Sequence, residues 1–344
     1  MSLPLKASQI DAATAQSGGA GDPARFLDLI AEKLVATEVL FRRHLGSDVP
    51  FISETGEYLF AGGGKRMRPA LLLLSSQLLG HDGEEEITYA AVVELIHTAT
   101  LVHDDIIDNS ELRRSQPTVN TVWGNSKTVL LGDWLYTTSM QLALSHGRLE
   151  VIRRLCEATL RMTEGELLVL ERLGEPDIGV EEYFDIIDRK TARLFSAASS
   201  IPALIPPASD KQREALESYG RSLGLCFQLV DDLLDFTSSE NDLGKPVLSD
   251  LKGGKLTLPL ILLLPRLDKK GRGLIERVLE DRSFDRVAPE AILDVVTAEG
   301  TLDEVRELAS KHAEEAREAL GSFPASETRE ALEFAPEFVL NRRS

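Results

Sequence analysis

The sequence predicts an all-α protein. Apolar residues recur at intervals of three and four positions along most of the 344 residues, a spacing typical of amphipathic helices. Alternating runs of β-branched residues and the Asn-Gly or Asp-Gly pairs of tight hairpins are scarce, so little sheet is expected. The length allows one large or two ordinary domains, and a hydrophobic fraction of 43% suffices for a sizeable core.

The expected helices follow in order from the apolar spacing and from the glycines and prolines between them. Residues 26–45 are expected to form the first amphipathic helix. Residues 61–69 form a glycine-rich turn into the second helix, since Pro69 suits a helix start. Residues 1–22 are expected to be disordered, which leaves 23–344 as the helical domain. Further helices are expected at 70–79, 88–109, 127–145, 150–173, 181–199, 211–236 and 256–264, followed by charged amphipathic helices.

Charge and composition limit the partners and the compartment. A formal net charge of −18 argues against a nucleic-acid or anionic-membrane binder, because both require a positive surface. The longest apolar runs, such as 258–264, are far shorter than a bilayer span, so no transmembrane segment is expected. Cys156 and Cys226 lie in apolar helical stretches and are expected to be buried and reduced. Since no secretory signal is evident at the N-terminus, we predict a cytoplasmic protein.

One acidic motif occurs twice. Its copies, DDIID at residues 104–108 and DDLLD at 231–235, each lie within an apolar helical stretch. Residues i and i+4 share a helix face, so the first and last carboxylates of each copy repel each other. An apolar helix keeps such a cluster when a cation offsets the repulsion and the desolvation. Mg²⁺ prefers oxygen ligands and completes its shell with water and substrate phosphates. The sequence therefore predicts a metal-dependent diphosphate site between two helices.

Polar and basic side chains are placed to join these carboxylates. His97 falls on one helix line with Asp104, and Gln228 falls on one line with Asp231. Residues 64–68 combine cations with the free backbone N–H groups of a helix start, a favourable seat for phosphate. Taken singly, each feature is also typical of a solvated surface or of a hydrogen-bonded core residue. Further basic residues follow the first motif, lie within the 181–199 helix or lie in a loop that would make a lid: Arg113, Arg114, Lys190, Lys245 and Lys255.

Four segments together resemble the trans-polyprenyl diphosphate synthases, which are type I isoprenoid synthases. They are GGGKRMRP at 62–69, ELIHTATLVHDDIID at 94–108, KTARLF at 190–195, and FQLVDDLLD at 227–235 with GKP at 244–246. The resemblance runs in order over roughly residues 30–344. It implies a single-domain bundle of long antiparallel helices around a central cavity, the isoprenoid synthase fold, usually as a homodimer. It favours a medium- or long-chain member of the family.

The resemblance also implies three groups of site residues. The diphosphate of isopentenyl diphosphate would be held by Lys65, Arg68, His97 and Arg114. Mg²⁺, three ions per active site with substrate bound, would be held by Asp104, Asp105 and Asp108 on one side and by Asp231 and Asp235 on the other. The allylic diphosphate would contact Arg113, Lys190, Thr191, Gln228, Lys245 and Lys255. The catalytic candidates are Asp104, Asp105, Asp108, Asp231, Asp232, Lys190 and Lys245.

The implied reaction is the Mg²⁺-dependent condensation of an allylic diphosphate with isopentenyl diphosphate into an all-trans polyprenyl diphosphate. A product longer than twenty carbons is expected, because short-chain relatives commonly carry an aromatic residue at the position of Ala99. Leu95 and Ile96 lie one helical turn earlier and also face the expected tunnel. Alternatively, Met140, Trp134 or Ile96 itself closes the tunnel floor.

Other functions remain open on the sequence alone. A class I terpene cyclase shares the first acidic motif, although such enzymes usually replace the second one with an Asn-Ser-Glu type motif. A farnesyl or geranylgeranyl diphosphate synthase would share every motif, and a non-enzymatic helical subunit would support a catalytic partner. Two segments also depart from the family pattern: Val169 stands where many relatives carry Gln, and 249–252 differs from the commoner acidic pair.

Overall fold

The computed structural model describes residues 27–64, 66–114, 116–205, 208–238 and 247–342, and within these ranges the chain is predominantly helical. The expected disordered segment 1–22 and the site candidates Lys65 and Lys245 lie outside the described residues. The α-helices are α1 (Ala31–Arg43), α2 (Pro50–Ala61), α3 (Met67–Leu78), α4 (Glu85–Ile107), α5 (Val119–Trp123), α6 (Asn125–Ala143), α7 (Leu149–Glu171), α8 (Val180–Ile187), α9 (Arg193–Ser200), α10 (Asp210–Thr237), α11 (Ser249–Lys252), α12 (Leu258–Leu263), α13 (Lys269–Asp281), α14 (Pro289–Ala298), α15 (Thr301–Ala319) and α16 (Glu327–Leu340).

The short elements between the helices are few. A π-helical turn, Asp188–Ala192, joins α8 to α9. After α4 the chain forms a hairpin of two antiparallel strands, β1 (Leu112–Arg113) and β2 (Gln116–Pro117). Single 3₁₀ turns follow α6, α9, α12 and α15 at Leu144–His146, Ile201–Ala203, Leu264–Arg266 and Leu320–Ser322.

The all-α prediction is confirmed, and most predicted helices agree with the structure to within a few residues. Helix α2 is absent from the helices that the sequence predicts, and it contains Gly56 in its middle. In the structure Gly56 is a packing position, since a Cβ there would lie 2.5 Å from the backbone oxygen of Leu45. The predicted helix 181–199 is interrupted by the π-helical turn, which the apolar spacing does not reveal.

Two hydrophobic clusters form the core, and α4 contributes to both. The larger one unites α3, α9, α10, α12, α15 and α16 and includes Ile96 on α4. Within it, the buried Tyr219 on α10 donates a hydrogen bond to the Leu332 carbonyl on α16 at 2.8 Å. The smaller cluster lies between α4 and α6 and contains Leu95, Ala99 and Leu135. Helix α4 is therefore fixed on two sides, and its C-terminal turn carries the first acidic motif.

The two cysteines differ in burial. Cys226 on α10 is buried, as expected, and burial raises the pKa of its thiol to about 12. Cys156 is exposed, so the prediction of a buried side chain is wrong at that position. Cys156 lies on the solvent-facing side of α7, although several of its neighbours in the sequence are apolar and buried. Within the described ranges, no helix is both long and apolar enough to cross a membrane.

Candidate active site

The first acidic motif lies at the end of α4, where it gathers basic residues. Arg113 on β1 donates from Nε to Asp105 Oδ1 at 2.8 Å. Lys255, which precedes α12, places its Nζ 2.7 Å from Asp108 Oδ1. Burial raises the pKa of Asp104 to about 6, and the nearby charge of Asp108 adds to the rise. The motif is a concentrated, partly buried negative charge, which favours the binding of a cation.

The second acidic motif, on α10, divides its carboxylates among different partners. Asp231 is about half exposed, and its Oδ1 lies 3.6 Å from Nη2 of Arg342. Asp232 is buried and accepts hydrogen bonds from the Tyr183 hydroxyl at 2.5 Å and from Gln228 Nε2 at 2.9 Å. Burial raises the pKa of Asp232 to about 8. Asp231 is thus the carboxylate of this motif with the freest access from solvent.

Asp235 holds the segment that follows α10. Its carboxylate accepts hydrogen bonds from the backbone N–H of Ser249 at 3.2 Å, the Ser249 hydroxyl at 2.7 Å and the N–H of Asp250 at 3.2 Å. These contacts fix the start of α11, the 249–252 segment that departs from the family pattern. The metal-binding role expected of Asp235 stays a prediction. In this structure its carboxylate accepts hydrogen bonds from the start of α11. Among the described residues, no three His, Cys, Asp or Glu side chains are grouped to hold a metal unaided.

The π-helical turn brings Lys190 and Thr191 between the two acidic motifs. Lys190 Nζ forms an ion pair with Glu166 on α7. Burial lowers the pKa of Lys190, but the charges of Asp104 and Glu166 outweigh it, so the pKa of Lys190 is raised. The Thr191 hydroxyl donates to Gln228 Oε1 at 2.8 Å, and Gln228 in turn donates to Asp232. The turn therefore carries a cation that interacts electrostatically with Asp104 and a hydroxyl that is hydrogen-bonded through Gln228 to the second motif.

A second basic region lies around His97, about two helical turns before Asp104 on α4. Arg68, on the first turn of α3, is stacked over the Phe195 ring with its guanidinium carbon 4.5 Å from the ring centroid. Burial lowers the pKa of Arg68 to about 10, and its buried Nε has no hydrogen-bond partner among the described residues. Burial and the neighbouring arginines hold the pKa of His97 well below its usual value, so its imidazole is neutral. A buried cation with an unused donor is a ready site for an anion.

A cavity of ≈ 80 Å³ opens beside this region. His97, Arg113 and Arg114 line it together with the glycine turn that precedes α3. Arg114 adopts a left-handed backbone conformation with φ of 52° and donates to the Gly63 carbonyl. The structure thus brings together Arg68, His97 and Arg114, the described members of the set expected for isopentenyl diphosphate.

Comparison with known proteins assigns the family. A sequence model of the polyprenyl synthetase family matches residues 49–295. The octaprenyl diphosphate synthase of Escherichia coli (strain K12) is 38% identical over 305 residues, which cover 89% of this chain and 94% of that protein. The chain belongs to the polyprenyl synthetase family. The predicted enzyme class, a prenyltransferase of the polyprenyl diphosphate synthase type, is confirmed.

Other members of the polyprenyl synthetase family agree in sequence and in fold. The geranylgeranyl diphosphate synthase of Sulfolobus acidocaldarius is 36% identical over 313 residues, covering 88% of this chain and 94% of that protein. The crystal structure of a polyprenyl synthase from Caulobacter crescentus CB15, complexed with calcium and isoprenyl diphosphate, superposes with a TM-score of 0.90 at 35% identity, covering 95% of this chain and all of that one. A decaprenyl diphosphate synthase from Rhodobacter capsulatus gives 0.88 at 36% identity, with 94% and 99% covered. The predicted isoprenoid synthase fold is confirmed.

Sequence reasoning about this polyprenyl synthetase missed three residues of the site. Glu166 is the ion-pair partner of Lys190 and lies in the segment already singled out for the departure at Val169, which is half-buried on α7. Tyr183 donates to Asp232 from α8, where its spacing indicates an ordinary core residue. Arg342 lies more than a hundred residues after Asp231 in the sequence, yet the two form an ion pair. Its guanidinium carbon also lies over the Phe227 ring, 4.5 Å from the ring centroid. No local pattern connects the chain end to α10.

We expect Asp104→Asn to stabilise the metal-free protein at neutral pH. The folded pKa of Asp104, about 6, exceeds its ordinary value of 3.8, so ionisation costs folding free energy as the pH rises through this window. The melting temperature in a chelating buffer should rise by about 2–5 °C at pH 7.5, and the gain should shrink toward zero near pH 4.

The matched control is Asp294→Asn, at an exposed position on α14, which should leave the melting temperature unchanged at both pH values. A melting temperature of Asp104→Asn at or below that of the wild type at pH 7.5 would contradict the assignment of Asp104 as a destabilised carboxylate.

Proposed function

We propose that this chain condenses an allylic diphosphate with several molecules of isopentenyl diphosphate in turn and makes an all-trans polyprenyl diphosphate longer than twenty carbons. The observation that carries the proposal is the presence of two adjoining groups of basic residues. One lies beside Lys190 at the acidic motifs, and the other lies beside Arg68 and His97, where Asp105 and Arg113 also line the cavity. A cyclase acting on a single allylic diphosphate has no use for the second group. The octaprenyl and decaprenyl relatives support a long product.

The donor set between the motifs fits Mg²⁺. Carboxylate oxygens are the ligands that Mg²⁺ prefers, and burial that raises the pKa of Asp104 is offset when a divalent ion binds nearby. Among the described side chains, no group of three His, Cys, Asp or Glu could hold a metal ion without further ligands, which suits an ion that also binds phosphate oxygens. Bound Mg²⁺ would neutralise the diphosphate and assist its departure. We assign the first ions to Asp104, Asp105 and Asp108 and a third ion to Asp231, with Asp235 as a further candidate.

The allylic diphosphate would be held by fixed cations around these carboxylates. Lys190 and Arg113 already lie against the acidic groups, and Lys255 connects the segment before α12 to Asp108. Their charges would stabilise the pyrophosphate that leaves, because preorganised cations cost no reorganisation during the reaction. Thr191 and Gln228 would add hydrogen bonds, and Lys245 is a further candidate outside the described residues.

Isopentenyl diphosphate would bind beside His97, about two helical turns before Asp104 on α4. Arg68 supplies an unused buried donor, and Arg114 supplies a second guanidinium at the cavity wall. Neutral His97 can donate one hydrogen bond to a phosphate oxygen. Lys65, outside the described residues, is the fourth candidate. This placement would present the double bond of isopentenyl diphosphate to the allylic carbon, and positioning would supply much of the rate enhancement. The allylic C–O bond would break to release pyrophosphate, the double bond of isopentenyl diphosphate would form the new C–C bond, and the pyrophosphate would accept the proton lost from the carbon beside the resulting cation.

Steady-state assays of the purified chain test the proposal. With Mg²⁺, farnesyl diphosphate and isopentenyl diphosphate, we expect pyrophosphate release that requires both substrates, and a polyprenyl product resolved by chromatography. His97→Ala should raise the KM for isopentenyl diphosphate about tenfold or more, the worth of a hydrogen bond to a charged group, while that for farnesyl diphosphate changes little.

Each other result points to a different function. Pyrophosphate release from farnesyl diphosphate alone would indicate a cyclase. Turnover that appears only after a second protein is added would indicate a supporting subunit. Equal effects of His97→Ala on both KM values would remove His97 from the isopentenyl diphosphate site.

The smaller hydrophobic cluster would set the product length. Ala99 is 2% exposed and packs there with Leu95 and residues of α6, and Trp134 lies at the edge of the same cluster. Ile96 belongs instead to the larger cluster, and Met140 packs against that cluster. The growing chain would extend from Asp104 along this side of α4. We therefore place the tunnel floor at Leu95, Ala99 and Trp134.

Ala99→Phe should shorten the product distribution and leave the first condensation nearly intact. A phenyl ring fills space that close-packed neighbours cannot restore, at a cost in stability of about 1–3 kcal/mol. Chromatography of the products from radiolabelled isopentenyl diphosphate measures the length. Ala90→Phe, at an equally buried position of α4 in the larger cluster, is the matched control and should not shorten the product. An unchanged length in Ala99→Phe would place the floor elsewhere.

We propose that the chain acts as a homodimer. The consecutive helices α6 and α7 expose large apolar side chains, among them Leu130 at 67%, Leu149 at 71% and Leu160 at 60%. Apolar side chains concentrated on neighbouring helices are typical of a surface that another protein covers. A second copy of the chain is the simplest partner, because one surface then serves both protomers.

Sedimentation of the purified protein should give about twice the chain mass of 37.8 kDa. Leu149→Glu combined with Leu160→Glu should give the mass of one chain, since burying two carboxylates against their copies is unfavourable. Val39→Glu, at an exposed apolar position on α1, should leave the mass unchanged. A monomeric wild type would refute the assignment.

A further inference from the structure

The π-helical turn Asp188–Ala192 departs from regular helix where Lys190 and Thr191 enter the site. Single π turns are rare, are less favourable than α-helix, and occur often at functional sites. The two side chains are adjacent in sequence but contact different helices. Lys190 pairs with Glu166 on α7, and Thr191 donates to Gln228 on α10. A regular helix through the same segment would change the register of one flank by a residue and turn these side chains away.

Two neighbouring helices pack closely against the backbone of this turn. A Cβ at Gly165 on α7 would lie 2.7 Å from the backbone nitrogen of Lys190. A Cβ at Gly224 on α10 would lie 2.6 Å from the Cα of Ala192. Both glycines therefore allow a backbone approach that no side chain permits. The turn is held between α7 and α10, but glycine contacts alone do not choose its register.

Asp188, the first residue of the turn, supplies a directional contact. Its buried carboxylate accepts hydrogen bonds from Arg193 Nε at 2.9 Å and from Arg221 Nε at 2.6 Å. Arg193 is the first residue of α9, directly after the turn, and Arg221 lies on α10. One carboxylate thus links the beginning of the turn to its end and to the helix that carries the second acidic motif.

We infer that Asp188 is a positioning residue, which holds the π-helical turn in the register that aims Lys190 and Thr191 at the allylic diphosphate. The inference rests on the proposed function and extends it to a residue that no motif or site assignment includes. The carboxylate of Asp188 pairs with two arginines whose side chains are 41% and 52% exposed. Because both arginines can return to solvent, Asp188→Asn should fold.

Steady-state kinetics of Asp188→Asn test this role. We expect the KM for farnesyl diphosphate to rise about tenfold with a lower kcat, while the KM for isopentenyl diphosphate stays within about twofold, because small displacements of positioning groups are costly. Asp188→Glu, which keeps the charge, should recover part of the loss. The matched control is Glu86→Gln, which breaks another buried ion pair, to Lys33 Nζ at 2.8 Å, about 27 Å along α4 from Asp104.

Hydrogen–deuterium exchange separates this inference from the proposed function. Amides of residues 189–193 should exchange faster in Asp188→Asn than in the wild type or in Glu86→Gln. Equal exchange in the three proteins, or KM values for Asp188→Asn that match those of Glu86→Gln, would overturn the positioning role. A wild type without turnover would overturn the proposed function instead, and exchange alone would then decide whether Asp188 holds the turn.

Discussion

The mutual repulsion of carboxylates at the ends of α4 and α10 is the constraint on which the rest of the structure depends. Helix packing places these charges where solvent screens them poorly, and burial, with neighbouring carboxylates adding to it, raises the pKa of Asp104 and of Asp232. The elements that interrupt the bundle bring compensating groups. The hairpin brings Arg113, the π-helical turn brings Lys190, and the segment before α12 brings Lys255. The irregular segments of this fold therefore carry the cations that balance the carboxylates on its regular helices.

Two groups of cations lie along α4. Near the acidic motifs the cations are paired with carboxylates, as Arg113 is with Asp105 and Lys255 with Asp108. Near His97, Arg68 rests on an aromatic ring with an unused donor, and the imidazole is neutral. This difference in local charge supports the proposal that the two diphosphates bind at different places, one with metal ions and the other on protein donors alone.

Periodicity and motif spacing predict the large elements but not which contacts each residue within them makes. Helices α4 and α10 are evident because their apolar spacing is long and regular, and the paired acidic motifs indicate the site. Spacing treats Asp231 and Asp235 as equivalent, whereas contacts from α11 distinguish them. The π-helical turn is not evident in the sequence, because residues 181–199 keep a helical pattern. The residues that pack against the turn lie on α7 and α10. Arg342 is unpredictable because its contact with Asp231 joins distant parts of the chain.

The glycines inside the helices have a consequence for protein engineering. Replacing a mid-helix glycine by alanine is a common route to a more heat-resistant enzyme, because alanine gains up to about 1 kcal/mol in helix propensity. In this chain Gly56, Gly165, Gly220 and Gly224 each face another backbone or side chain at less than 3 Å from where a Cβ would stand. A design procedure guided by propensity would select these positions first, and it would separate the helices that hold the site together.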